Sequence, residues 1–216
     1  MSDRARGWPV AKEGLPFCAA AAACCAGTAA LGWTGLGTVF GAGTLFSCWF
    51  FRNPARAVPQ DANLVVSPGD GRVLTVVQEE EGRFLKARAI RVSIFLSPLN
   101  VHINRTPCEG TVRTIAHFPG KFLVASRAGA TLQNEQTAVL IETDKGHKVL
   151  CVQVAGYVAR RIVTWLHPGE RVARGERYGL IRFGSRMDLY VPIGTTVKVA
   201  AGDSVRGGES VIGVLT

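Results

Sequence analysis

The chain has 216 residues, 47% hydrophobic and 19% charged, with 25 Lys and Arg against 16 Asp and Glu, a net charge of +9. That balance excludes a disordered or coiled-coil chain. Twenty-five Gly and ten Pro point to short strands joined by turns.

Residues 14–51 carry no charge; Arg4, Arg6 and Lys12 precede them, and Arg52 and Arg56 follow. One membrane-spanning helix needs about 20 apolar residues. A run of 38 is too long for one span and suits two short ones. The break falls at Gly32-Trp33-Thr34-Gly35. A helical hairpin over 16–32 and 36–51 is expected, dipping into the bilayer or crossing it. Its basic ends place both termini in the cytoplasm, with Trp33 at the far interface and Trp49 at the near one. A cleaved signal peptide is shorter; a buried soluble hairpin is the competing reading.

The pattern changes after Arg52-Asn53-Pro54, so residues 1–52 and 53–216 are read as two domains. Strands are expected at 64–67, 72–78, 84–90, 92–96, 110–117, 138–143, 148–154, 161–165, 178–182, 188–191, 196–199 and 211–215. No stretch holds a 3.6-residue period. The fold class is therefore mostly β, a sandwich or barrel-like body behind an α-helical hairpin.

One segment is repeated. Gly169-Glu170-Arg171-Val172-Ala173-Arg174-Gly175-Glu176 matches Gly202-Asp203-Ser204-Val205-Arg206-Gly207-Gly208-Glu209. Each copy is a turn, an inward Val and a second turn, as in lipoyl-carrier-like sandwiches with two similar halves. Ser67-Pro68-Gly69-Asp70-Gly71-Arg72-Val73 has related character. Such repeats speak of fold, not chemistry.

Four of the six Cys (Cys18, Cys24, Cys25, Cys48) lie in the apolar stretch, and Cys108 and Cys151 stand alone. They read as small buried groups in a reducing compartment. Neither a disulfide framework nor a metal site is expected.

A carrier domain presents a lysine between its halves. Here there is no Lys between Glu176 and Val197, and the loop offers Gly184-Ser185 instead. Taken with Phe50-Phe51-Arg52-Asn53-Pro54, Ser67-Pro68-Gly69-Asp70-Gly71, Ser97-Pro98-Leu99-Asn100-Val101-His102-Ile103-Asn104-Arg105, Pro119-Gly120-Lys121-Phe122, Asn134-Glu135, Ala159-Arg160-Arg161-Ile162 and Arg182-Phe183-Gly184-Ser185, the chain resembles the phosphatidylserine decarboxylase family in its short membrane-anchored form. The resemblance covers nearly the whole chain.

It implies a proenzyme that cuts itself between Gly184 and Ser185 into a β chain, 1–184, and an α chain, 185–216, which stay associated. Ser185 attacks the Gly184 carbonyl, the ester eliminates, and the resulting dehydroalanine hydrolyses to a pyruvoyl group, the cofactor. That ketone forms a Schiff base with the substrate amine and draws electrons as CO2 leaves. A serine hydroxyl needs a base, and imidazole suits the task. By resemblance His102 is that base and the later proton donor, with Asp70 orienting it. Some relatives carry a second His where Arg105 stands. Arg105 is then a candidate for substrate phosphate or carboxylate, and His117, Lys121, Arg160 and Arg161 are further candidate substrate contacts. His147 and His167 read as turn residues.

The expected partners are an anionic phospholipid substrate and the cytoplasmic face of the cell membrane, to which a basic body is attracted; a homo-oligomer is compatible. Nucleic acid binding, the other reading of a high pI, lacks a recognition motif. The alternatives are a membrane-anchored lipoyl-like carrier or adaptor without catalysis, and a structural protein that uses the hairpin only as an anchor.

Overall fold

The computed structural model describes residues 8–61, 63–121, 134–156, 161–181 and 185–216. They form two compact units, Met1–Ala55 and Arg56–Thr216.

In the first unit a 3-10 turn, Lys12–Gly14, leads into helix α1, Leu15–Ala30, and then α2, Thr34–Phe50. Pro16 opens α1, where its missing N–H costs nothing. The turn between the helices uses Gly32 at φ +74°. Small residues let the helices approach. The Cys25 thiol lies 3.3 Å from the Gly37 carbonyl, and a Cβ on Gly41 would sit 3.6 Å from the Cys25 sulfur. No residue of α1 is buried. Leu31, Trp33, Val39, Leu45 and Phe46 are each at least half exposed. Among the described residues, Lys12–Ala30 is the helix long and apolar enough to cross a membrane, with a mean hydropathy of 1.2; α2 has 17 residues. The thiols here correct one expectation. Cys24 is exposed and Cys18, Cys25 and Cys48 are only partly covered; Cys108 and Cys151 alone are buried. No disulfide is formed. Burial pushes the Cys108 thiol up to about 12 and Cys151 well above its ordinary value, so both are inert.

Among the described residues the second unit holds fourteen strands: β1 Leu64–Val66, β2 Gly71–Glu81, β3 Ala87–Leu96, β4 Ile103–Arg105, β5 Gly110–Phe118, β6 Gln136–Glu142, β7 Lys148–Val154, β8 Ile162–Thr164, β9 Arg171–Val172, β10 Arg177–Ile181, β11 Ser185–Pro192, β12 Thr196–Val197, β13 Ser204–Val205 and β14 Val211–Val214. An eight-stranded antiparallel sheet runs β13-β2-β3-β11-β7-β6-β5-β9; two three-stranded sheets run β1-β14-β12 and β4-β10-β8. The expected strands at 84–90 and 92–96 are one strand, β3. Residues 84–86 instead lie in the β2–β3 turn, where the Glu81 carboxylate accepts the N–H groups of Arg83, Phe84 and Leu85. Strands β4, β9 and β13 were not expected; at two or three residues they are too short to show a period.

The repeat is structural. Its two copies supply β9 and β13, the opposite edges of the large sheet. Val112 N–H donates to Glu170 O and Gly169 N–H to Val112 O; Val73 N–H donates to Asp203 O and Gly202 N–H to Val73 O. Strands β2 and β5 carry matching bulges, at Val73/Thr75 and Val112/Thr114. They also open on matching glycines. A Cβ on Gly71 would lie 2.2 Å from Phe95 O, and one on Gly110 2.3 Å from Glu142 O. Backbone cannot yield as a flexible side chain can. Gly71→Ala is therefore expected to cost about 3 kcal/mol, read as a lower denaturant midpoint.

Alternation along each strand divides the sheet's faces. One face carries the main core, including Val92, Ile94 and Leu96 of β3, Val149 and Cys151 of β7, and Met187, Leu189 and Val191 of β11. The other packs Ala89, Ala138, Leu140, Leu150, Val152, Val154 and Tyr190 under Phe84, Leu85 and Phe118. Beside that smaller cluster the Arg186 and Asp188 side chains are 4% and 0% exposed and paired at 2.7 Å. Arg91 bonds Glu79 at 2.8 Å and holds its carboxyl below the usual range.

Candidate active site

Register brings Ser185, Asp70 and the His102 segment to one end of the large sheet. Ser185, first in β11, lies opposite Leu96, last in β3. Arg72 of β2 lies opposite Phe95, so Asp70 precedes β2 at the same end. The segment from Ser97 to His102 leaves β3 here, and Asn100 donates to the Asp70 carbonyl at 3.4 Å. His102 immediately precedes β4, which pairs with β10. Ile181, last in β10, donates its N–H to the His102 carbonyl at 3.4 Å, four residues before Ser185.

Ser185 is 0% exposed, and its Oγ has no hydrogen-bond partner among the described residues. A buried hydroxyl in that state costs stability, which natural sequences tolerate where chemistry needs the atom. His102 is buried. The Asp70 carboxylate takes the Arg56 guanidinium at 2.7 Å on Oδ2 and the Gly207 N–H at 2.8 Å on Oδ1. Arg56 also reaches Glu209 at 3.2 Å. Sequence reasoning noted Arg56 only as a basic flank; its contact with Glu209, 153 residues away, leaves no local signal.

Arg105 is buried and donates to the Gly175 carbonyl at 2.9 Å. Burial, with Arg177 and Arg56 nearby, lowers its pKa to about 10, so it stays charged at neutral pH. Lys121 is exposed and bridges to Asn134, two residues before β6. Arg161 is exposed beside Ile162, which lies opposite Ile181. His117 stands in β5, three strands from β11, half-exposed, with Nδ1 3.0 Å from Thr137 Oγ1. Gly184 and Arg160 lie outside the described residues. Among the described residues no group of three His, Cys, Asp or Glu is arranged to hold a metal.

An enclosed serine hydroxyl at a strand start, beside a buried histidine segment and a paired aspartate, is the architecture of a site built inside the chain rather than on its surface. The phosphatidylserine decarboxylase family model matches residues 44–213. The chain is similar to phosphatidylserine decarboxylase proenzymes from Symbiobacterium thermophilum, 48% identical over 216 residues, covering 100% of this chain and 99% of the relative. It is likewise similar to those of Geotalea uraniireducens, 45% identical and covering 98% and 99%, and Desulfotalea psychrophila, 42% and covering 95% and 96%. The chain belongs to the phosphatidylserine decarboxylase family.

Proposed function

We propose that this chain is a proenzyme that cuts itself between Gly184 and Ser185 and then decarboxylates phosphatidylserine to phosphatidylethanolamine. Family membership carries the reaction. The observation that carries the cleavage is the buried Ser185 Oγ, without a hydrogen-bond partner among the described residues, an atom kept ready for attack. It also fits a pyruvoyl group at this position. A ketone there supplies a carbonyl for the substrate amine and a sink for the electrons freed as carbon dioxide leaves.

The chain's own residues do the rest. His102 takes the Ser185 proton during cleavage and returns a proton to the substrate carbon afterwards. Asp70 orients that histidine, and Arg56 and the Gly207 amide fix the Asp70 carboxylate. After cleavage the α chain, 185–216, remains held. β11 lies between β3 and β7, β14 lies between β1 and β12, and Glu209 stays on Arg56. Arg105, Lys121, Arg160, Arg161 and His117 are the proposed headgroup contacts; the exposed cations Lys121 and Arg161 are the best supported. The matched edge strands and bulges support two carrier-like halves.

Mass spectrometry tests the cleavage. The purified chain is expected to give a fragment of residues 185–216 with a blocked N-terminus. A free amine there would mean ordinary proteolysis and defeat the reading.

The N-terminal unit is proposed as the membrane anchor, on the cytoplasmic side. Its uncharged 14–51 run, with basic flanks and exposed Trp33, Leu45 and Phe46, supports this. The full chain is expected to need detergent. A chain beginning at Asn53 is expected to leave lipid vesicles as salt rises, because only screened attraction then remains. Retention at high salt would show a second anchor.

A further inference from the structure

Asn104 is fully buried in β4, and a chain of hydrogen bonds runs to its amide. The Thr164 hydroxyl donates to Gln153 Oε1 at 2.8 Å, and Gln153 Nε2 donates to Asn104 Oδ1 at 2.8 Å. With Oδ1 turned to Gln153, Nδ2 points away from it. It has no hydrogen-bond partner among the described residues.

Its position follows from its neighbours. Gln153 lies in β7, opposite Met187 of β11. On the other side, Asn104 Nδ2 is 3.5 Å from where a Gly69 Cβ would sit, and Leu96 of β3 is 3.2 Å from that same point. β11 runs between β7 and β3. Alternation puts Ser185, Met187, Leu96 and Gln153 on one face. The Asn104 amide thus spans from β7 to β3 across the face that carries Ser185. Two buried polar groups without partners among the described residues, a donor and a hydroxyl, share this face.

We propose, on the basis of the self-cleavage reading above, that Asn104 is a further catalytic residue of maturation. Its Nδ2–H stabilises the oxygen that gains charge when Ser185 attacks the preceding peptide. In that step the Ser185 Oγ gives its proton to the base and bonds to the carbonyl carbon, whose π pair moves onto oxygen. The pair then re-forms the carbonyl, the C–N bond breaks, and the nitrogen of residue 185 takes the proton, leaving an ester. A donor fixed before the reaction needs no reorganisation when the charge appears. Gln153 and Thr164 are positioning residues that keep the donor side of the amide turned toward Ser185.

The test follows cleavage of freshly synthesised full-length chain in detergent by gel. Asn104→Asp, which keeps the shape and removes the donor, is expected to slow cleavage about 10²–10³-fold. Gln153→Glu leaves Asn104 in place but can only accept, so it turns the Asn104 NH2 toward itself. It is expected to slow cleavage similarly, and it decides the matter if Asn104→Asp does not fold. Hydroxylamine, which cleaves esters, should give no rescue, because the slowed step precedes the ester. Cleavage within threefold of wild type in a folded variant, or a hydroxylamine-released fragment showing accumulated ester, would overturn the role of Asn104. Failure of the wild-type chain to cut itself would instead defeat the maturation reading.

Discussion

Ser185→Ala is expected to give one uncut chain where the wild type gives two, with no loss of folded stability. The substitution deletes one oxygen from a position that is 0% exposed. That oxygen has no hydrogen-bond partner among the described residues, so removing it leaves no other group stranded and relieves a desolvation cost. The melting temperature of Ser185→Ala should equal or exceed that of the uncut wild type. A merely structural serine would show the reverse, a lower melting temperature and unchanged processing. His102→Ala is expected to slow cleavage about 10²–10⁴-fold, the usual worth of a positioned general base. Asp70→Asn should slow it less, since the asparagine keeps the shape but not the charge. It also leaves Arg56, whose side chain is 8% exposed, without its 2.7 Å partner oxygen. Part of the Asp70→Asn effect is therefore expected as reduced stability, readable separately by thermal melting in a Ser185→Ala background.

Asp188→Leu is expected to destabilise the body by about 3–5 kcal/mol. Arg186 and Asp188 face each other in bonds of 2.7 and 2.9 Å, with side chains 4% and 0% exposed. Removing the carboxylate strands the Arg186 charge out of water. The coupled change Arg186→Met with Asp188→Leu should recover most of the loss, because a well-packed apolar pair avoids both desolvation costs. Urea unfolding of the three variants in the uncut Ser185→Ala background measures this. A double variant no more stable than Asp188→Leu alone would mean that the surrounding groups, Arg91 at 3.9 Å from Asp188 among them, depend on the pair.

Much of the local structure could be read from composition and pattern. The uncharged 14–51 run gave two helices, displaced by a residue or two from the expected ends, because Gly32 sets the turn wherever the apolar run leads. β7 falls on 148–154 as expected, since its turn is marked by Asp144-Lys145-Gly146 and five of its seven residues, Val149, Leu150, Cys151, Val152 and Val154, are β-branched or apolar. The Gly184-Ser185 pair and the His102 segment were legible through family motifs.

The chain order of residues says nothing about which strands become neighbours. β11 sits between β3 and β7, more than 80 and more than 30 residues earlier. Only that placement sets Ser185 against Leu96 and carries Asn104 across the same face. The Arg56–Asp70–Glu209 contacts and the Thr164–Gln153–Asn104 relay likewise join distant segments. Turns, helix ends and apolar alternation arise from interactions within a few residues, so the sequence determined them by itself. Pairing of non-local strands, and the burial of the Ser185 hydroxyl, depend on the whole core closing, and the tertiary structure alone decided them.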